Sequence, residues 1–292
     1  MNLQIHTTKI RLLSLAAALC LGTATSGQAL ELNKGDHVVL IGNALAERMQ
    51  HHGWLESYTQ TAMPDKELVF RNHGFGGDKV NNRPRNNGFP SADAYLEISK
   101  ADVILAFWGY NESFDNSPDA YRADLAKWID ETKGKKYNGK GAPRIVLLSP
   151  IAHENLGQAN LPDGSANNQR LAKYTEATRQ VANEKGVEFV DLFSLSQDLY
   201  ERSKLPLTIN GIHLNSRGNS QLARGIHKNL FGKSPRASGR KLARIRDAVL
   251  DKNWHWYNRY RATDGNDVWG GRSGLRFVAG QTNREVLQQE LK

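Results

Sequence analysis

The chain has 292 residues, a formal net charge of +9 and 39% hydrophobic residues, and its one cysteine is Cys20. Lys9 and Arg11, the apolar run Leu12–Leu21 and the small residues of Gly27-Gln28-Ala29 read as an export leader over residues 1–29, with Cys20 inside it. The mature chain then has no cysteine, which excludes disulfides, thiol catalysis, cysteine-held zinc and a Cys-x-x-Cys-His haem attachment. No later segment is apolar enough to span a bilayer, so the expected location is the periplasm or the cell exterior. Loss of the leader, which carries no acid, lowers the charge to +7. Export sets nucleic acid aside as a partner. The basic excess fits either an anionic glycan or cell-envelope surface, or a solvated basic face.

In chain order, Val38–Ile41, Leu68–Phe70, Val103–Trp108, Ile145–Leu148 and Phe189–Val190 read as buried strands. Ala44–Gln60, Ala92–Lys100, Asp119–Thr132 and Asn168–Lys185 read as helices between them, the first with Leu45, Met49, His52 and Leu55 on one buried face. This alternation predicts a parallel sheet with helices on both faces, and ligand groups at the carboxyl ends of its strands. Lys133–Ala142 and Asn155–Asn167 are polar connections, whereas Arg71–Pro90 is long enough to suggest a functional loop. Gly232–Gly239 marks a boundary between a domain at residues 30–232 and a basic, aromatic-rich extension at 233–292. In that extension Arg240–Tyr260 and Asn283–Leu291 read as helices.

Four segments fall where strands should end: "IGNALAER" (residues 41–48), "RNHGFGGDKV" (71–80), "FWGYNESF" (107–114) and "INGIHLNSRG" (209–218). In order and spacing they resemble the four blocks of the SGNH, or GDSL, hydrolase superfamily over roughly residues 36–230. The resemblance implies a three-layer α/β/α flavodoxin-like sandwich with a parallel sheet and, here, a helical C-terminal extension. It also implies an ester hydrolase in which Gly77 and the Asn111 side chain form the oxyanion hole and His213 is the base. This chain departs from the family pattern at three positions. Ala44 stands where the nucleophilic serine belongs, Asn43 where its neighbouring aspartate does, and Asn210 where the triad aspartate does.

An alanine methyl has no lone pair to attack a carbonyl, and a neutral amide does not stabilise an imidazolium. A retained oxyanion hole can still hold an acceptor oxygen. Two functions are therefore open: hydrolysis through a water or a substitute group, or a catalytically inactive module that binds a glycan or a partner. Glu47, Glu112 and His153 are the substitutes near the expected site. Each also has a plain structural reading: Glu47 as a helix-surface acid paired with Arg48, Glu112 as a turn cap, His153 as a hydrogen-bonded loop residue. Ser113 offers a hydroxyl, but from the wrong strand. No spacing calls for a metal or another cofactor. Asp264-Gly265-Asn266-Asp267 has Val268 and Trp269 where a calcium loop needs a ligand and a glycine.

In the tail, Trp254, Trp256, Tyr257, Tyr260 and Trp269 lie among Arg259, Arg261 and Arg272. They either stack on sugars or cover the side of the sandwich. Together with "FWGYNESF" this tail is similar to the SGNH-like module at the front of large exported bacterial proteins with propeller and cytochrome-like domains. No such domain follows within these 292 residues.

Overall fold

A computed structural model describes residues 30–85, 90–115, 117–236, 238–260 and 270–290. The leader at 1–29, Arg261 and Trp269, and the turn at 264–267 lie outside the described residues.

Five strands, β1 (His37–Gly42), β2 (Val69–Asn72), β3 (Val103–Phe107), β4 (Arg144–Leu148) and β5 (Glu188–Val190), form one parallel sheet. Their order is β2-β1-β3-β4-β5, so the chain winds outward in both directions from β1 and β3. That reversal leaves a crevice at the carboxyl ends of these two strands. All five residues of β3 are buried, as a central strand covered on both faces requires.

Side chains alternate between two cores. Val38, Leu40, Leu105, Phe107 and Leu148 face one side, packed with Leu55, Tyr58, Leu222 and Ile226. These partners come from α2 (Trp54–Ala62) and α7 (Ser216–Phe231). Val39, Ile41, Ile104, Ala106 and Leu147 face the other side, packed with Leu96, Leu125, Ile129, Tyr174 and Val181. These belong to α3 (Ala92–Ile98), α4 (Pro118–Lys133) and α5 (Ser165–Lys185). The result is a three-layer α/β/α sandwich.

The helix expected over 44–60 is two helices. α1 (Ala44–Met49) closes through His52 N–H to Met49 O and Gly53 N–H to Met49 O. Gly53, at φ 66°, then adopts the left-handed conformation that starts α2. α6 (Leu192–Arg202), capped by the Asp191 side chain on the Ser194 N–H, has no counterpart among the expected elements.

Beyond the sandwich, α8 (Arg240–Tyr260) packs on α2 and β2. A short ribbon of β6 (Arg276–Val278) and β7 (Gln281–Thr282) and then α9 (Asn283–Glu290) end the described chain. Among the described residues no helix is long and apolar enough to cross a membrane.

Candidate functional site

The site begins where β1 becomes α1. Gly42 has φ +126°, and a Cβ on it would lie 2.2 Å from the Phe107 carbonyl oxygen, so only glycine lets β1 turn this close to β3. Asn43 follows as the cap of α1, its Oδ1 accepting the Leu45 N–H at 3.2 Å. An asparagine serves this role as well as an aspartate does. Ala44 is the first residue of the helix.

Ala44 and His213 line one cavity of about 510 Å³, its mouth included. Asn43, Arg48, Tyr110, Ser149 and Asn219 are the other polar residues of its wall. Phe107, Trp108, Pro150, Ile151, Ile212 and Leu214 make most of the rest of the wall. The cavity lies at the carboxyl ends of β1, β3 and β4, closed by the segment before α7.

That segment, residues 207–214, is a tight double-back in which Ile209 N–H donates to His213 O at 2.8 Å. Asn210 Oδ1 accepts the His213 backbone N–H at 3.0 Å. The same amide meets the His213 ring, with Nδ2 3.1 Å and Oδ1 3.2 Å from Nδ1. An amide can thus donate to Nδ1 or accept from it. A carboxylate would fix the proton on Nδ1 and stabilise the charged ring; an amide does neither. Burial, and then the positive charge of Arg48, lower the His213 pKa, so the ring is neutral near pH 7.

Gly77 and Asn111 are brought together, but with a particular orientation. Asn111 Nδ2 donates to Gly76 O at 3.0 Å and to Asp78 O at 2.8 Å. Both amide hydrogens therefore hold the loop on either side of Gly77 rather than facing an oxyanion. Open space surrounds the position a Gly77 Cβ would take.

Glu47 lies outside the cavity wall, beside the Gly76 loop. Its Oε2 is 3.0 Å, and the Ala44 Cβ 4.0 Å, from where a Gly76 Cβ would be. Glu112 is buried, with Oε1 accepting Val80 N–H at 2.8 Å and Oε2 accepting Gly109 N–H at 2.9 Å. It ties the loop after β2 to the loop after β3 and lies outside the cavity wall. Burial raises its pKa, against the backbone donors that favour its charge. His153 is also buried and outside the wall. Its ring fills the space that side chains on Gly164 and Gly211 would need, and Nδ1 meets Asn167 Nδ2 at 3.0 Å. Ser113 Oγ donates to Tyr110 O at 2.7 Å.

Four polar residues of the cavity wall, Arg48, Tyr110, Ser149 and Asn219, were not read from sequence as site residues. Arg48 entered only as a partner for Glu47, and Tyr110 only as part of a motif. Arg48 lies four residues after Ala44, hence on the same side of α1, which was the available signal.

Among the described residues, no group of three or more His, Cys, Asp or Glu could hold a metal ion. In the extension, Trp256 and Tyr260 face inward and stack on His73, at centroid distances of 5.5 and 5.1 Å. Trp254 is exposed.

Residues 41–221 match the family model of the GDSL-like lipase/acylhydrolase family. No curated protein matches the chain. Among solved structures, an acetylxylan esterase from Geobacillus stearothermophilus superposes with a TM-score of 0.54 at 17% identity, over 72% of this chain and 100% of that one. A candidate GDSL-like lipase from Parabacteroides merdae gives 0.55 at 15% identity, over 70% and 99%. A gut microbial diltiazem-metabolizing enzyme gives 0.52 at 18%, over 70% and 49%. Likeness at this identity carries the fold.

Proposed function

The chain belongs to the GDSL-like lipase/acylhydrolase family, and from that premise we propose that it is an exported protein of acylesterase descent whose cavity binds acylated carbohydrate without cleaving it. The observation that carries this reading is Ala44, at the turn from β1 into α1 and in the same cavity as His213. We take it to occupy the nucleophile position.

The other hydroxyls nearby are committed elsewhere. Ser149 Oγ accepts the N–H groups of Leu192 and Phe193, at 2.8 and 3.1 Å, and donates to Pro150 O. Ser113 is held by Tyr110 O, and burial raises the Tyr110 phenol above its ordinary pKa. Acyl transfer needs an activated nucleophile, a base fixed in the right tautomer and donors for the oxyanion. Ala44, Asn210 and the inward-turned Asn111 bear on each of these in turn. What persists is an apolar recess of acyl size beside a neutral imidazole. The acetylated-xylan specificity in the names of its structural neighbours supports acylated carbohydrate as the ligand class, and the basic n-region and apolar run of residues 9–21 support export.

The test compares the purified protein with an Ala44→Ser/Asn210→Asp variant. Wild type is expected to bind an acetylated xylooligosaccharide in NMR titrations and to leave p-nitrophenyl acetate untouched beyond the buffer rate. The double variant should gain about 10²-fold or more in turnover, lost again on His213→Ala. Wild-type turnover that disappears with His213→Ala would overturn the binding reading in favour of water-based hydrolysis.

A further inference from the structure

Arg48 lies in the cavity wall, yet its Nε is buried and has no hydrogen-bond partner. Among the described residues no carboxylate lines the cavity and none forms an ion pair with Arg48. Five guanidinium groups among the described residues have a buried Nε without a partner; of these Arg85 and Arg122 have counterions, Arg170 and Arg224 form no ion pair and lie outside this cavity, and Arg48 alone lines it. Arg85 grips both oxygens of Asp78 at 2.9 Å, and Arg122 holds Glu184 at 2.9 Å. A guanidinium drawn partly out of water without a counterion costs free energy, and an entering anion offsets that cost.

We infer that the cavity is a carboxylate site, in which Arg48 holds the carboxylate of the ligand and the apolar wall takes its carbon body. The inference rests on the reading of this cavity as a binding site and adds the ligand's charge to it. The planar fork of arginine matches a carboxylate in two parallel hydrogen bonds. One cation beside a neutral histidine balances a monoanion; a phosphate dianion would call for a second cation. Phe107, Pro150, Ile151 and Ile212 suit a short carbon skeleton next to the charge. Two sources present this chemistry: a uronic acid unit of an acidic polysaccharide, and a free short-chain acid such as acetate. The net positive charge, +7 once the leader is removed, draws either toward it.

The test is calorimetric titration of the full chain at low salt with oligogalacturonate, sodium acetate, inorganic phosphate and a neutral acetylated xylooligosaccharide. Carboxylate affinity should fall at least about tenfold in Arg48→Gln, the weight of one charge-assisted contact, with Arg48→Lys between the two. The neutral probe should change less than about twofold. In parallel, His213 is titrated by NMR. Binding of a carboxylate should raise its midpoint in wild type, because the anion offsets the Arg48 charge that lowers it, and should leave Arg48→Gln unmoved.

Response to oligogalacturonate alone identifies the polymer as the source, and response to acetate alone identifies the free acid; both support the site. Equal carboxylate affinity in a folded Arg48→Gln protein, or phosphate binding tighter than either carboxylate, overturns it. Should neither variant fold, a wild-type His213 midpoint that ignores both carboxylates overturns it as well. A neutral acetylated probe that binds while neither carboxylate does would sink the carboxylate site and leave the acyl-binding reading standing. The opposite pattern would sink the acyl reading alone.

Discussion

At the scale of single residues, a buried imidazole is tolerated only uncharged. His73 is 4% exposed and lies against Trp256 and Tyr260, with Nε2 2.9 Å from Ser99 Oγ. Burial, then the charges of Arg85 and Arg71, push its pKa from 6.5 down to about 3. The unfolded chain takes up this proton near pH 6.5, while the folded protein refuses it until about pH 3. As pH falls between those values, stability drops by about 1.4 kcal/mol per unit, or roughly 2–3 kcal/mol at pH 4.5. Urea unfolding at pH 7 and 4.5 should therefore show a steeper loss for wild type than for His73→Phe, by about that amount; equal losses would reject the assignment. At this scale the sequence reaches Ala44, Asn210 and His213, because strand-end motifs place them at one edge of the sheet. It does not reach the direction of the Asn111 amide. That depends on the Gly76 and Asp78 carbonyls, which a loop distant in sequence brings to it. Nor does it reach Arg48, whose place in the cavity wall depends on how α1 packs beside the His213 segment.

At the scale of elements, the segment that carries Asn210 and His213 has no regular structure of its own and is held by its neighbour. The buried Glu154 carboxylate accepts Leu207 N–H at 3.0 Å, Thr208 N–H at 2.7 Å and the Thr208 hydroxyl at 2.6 Å. Its backbone N–H donates to Gly211 O at 2.8 Å. Gly211 sits at φ +84°, where a Cβ would fall 2.2 Å from His153 Nε2. His153 and Glu154, just past β4, thus form the mould in which the His213 loop sets. Glu154→Ala leaves three buried donors without an acceptor, at about 1–3 kcal/mol each before relaxation. We expect an unfolding free energy at least about 3 kcal/mol lower in urea and weaker ligand binding in the remaining folded protein. A loss within about 0.5 kcal/mol would show that the clamp is dispensable. Strands and long helices are legible from periodicity, and the bounds expected for α8 are those observed. The split of the first helix turns on one glycine conformation, and α6 on a cap at Asp191, which are weaker signals than a repeated apolar face.

At the scale of the whole molecule, the open sheet has to protect its edges, and β2 is one of them. Val69 and His73 donate their N–H groups to Asp36 O and Leu40 O on the β1 side. The intervening residues turn their carbonyls outward. Such carbonyls invite another strand unless they are covered. Here α8 covers them with side chains: Lys252 Nζ donates to Phe70 O at 3.0 Å and Trp256 Nε1 to Asn72 O at 2.6 Å. Lys252 also meets Glu56 at 2.6 Å, and Arg246 donates to His52 O at 2.9 Å while lying 4.1 Å over the Trp54 ring. Burial lowers the Lys252 pKa and raises that of Glu56, and the pairing of the two groups opposes both shifts. The inward aromatics of the extension therefore act as an edge guard, whatever the exposed Trp254 does. A Lys252→Ala/Trp256→Ala protein should lose about 2–3 kcal/mol of stability, less than the cost of deleting a fully buried tryptophan because Trp256 is half-buried. It should also move to higher mass with concentration in sedimentation experiments, as freed β2 edges pair. Replacing the exposed Arg240 and Lys241 with glutamine should change neither property beyond about 0.5 kcal/mol, because those side chains touch no strand. If the double variant keeps the wild-type mass distribution while losing stability, α8 contributes packing only and the edge of β2 is closed by other means.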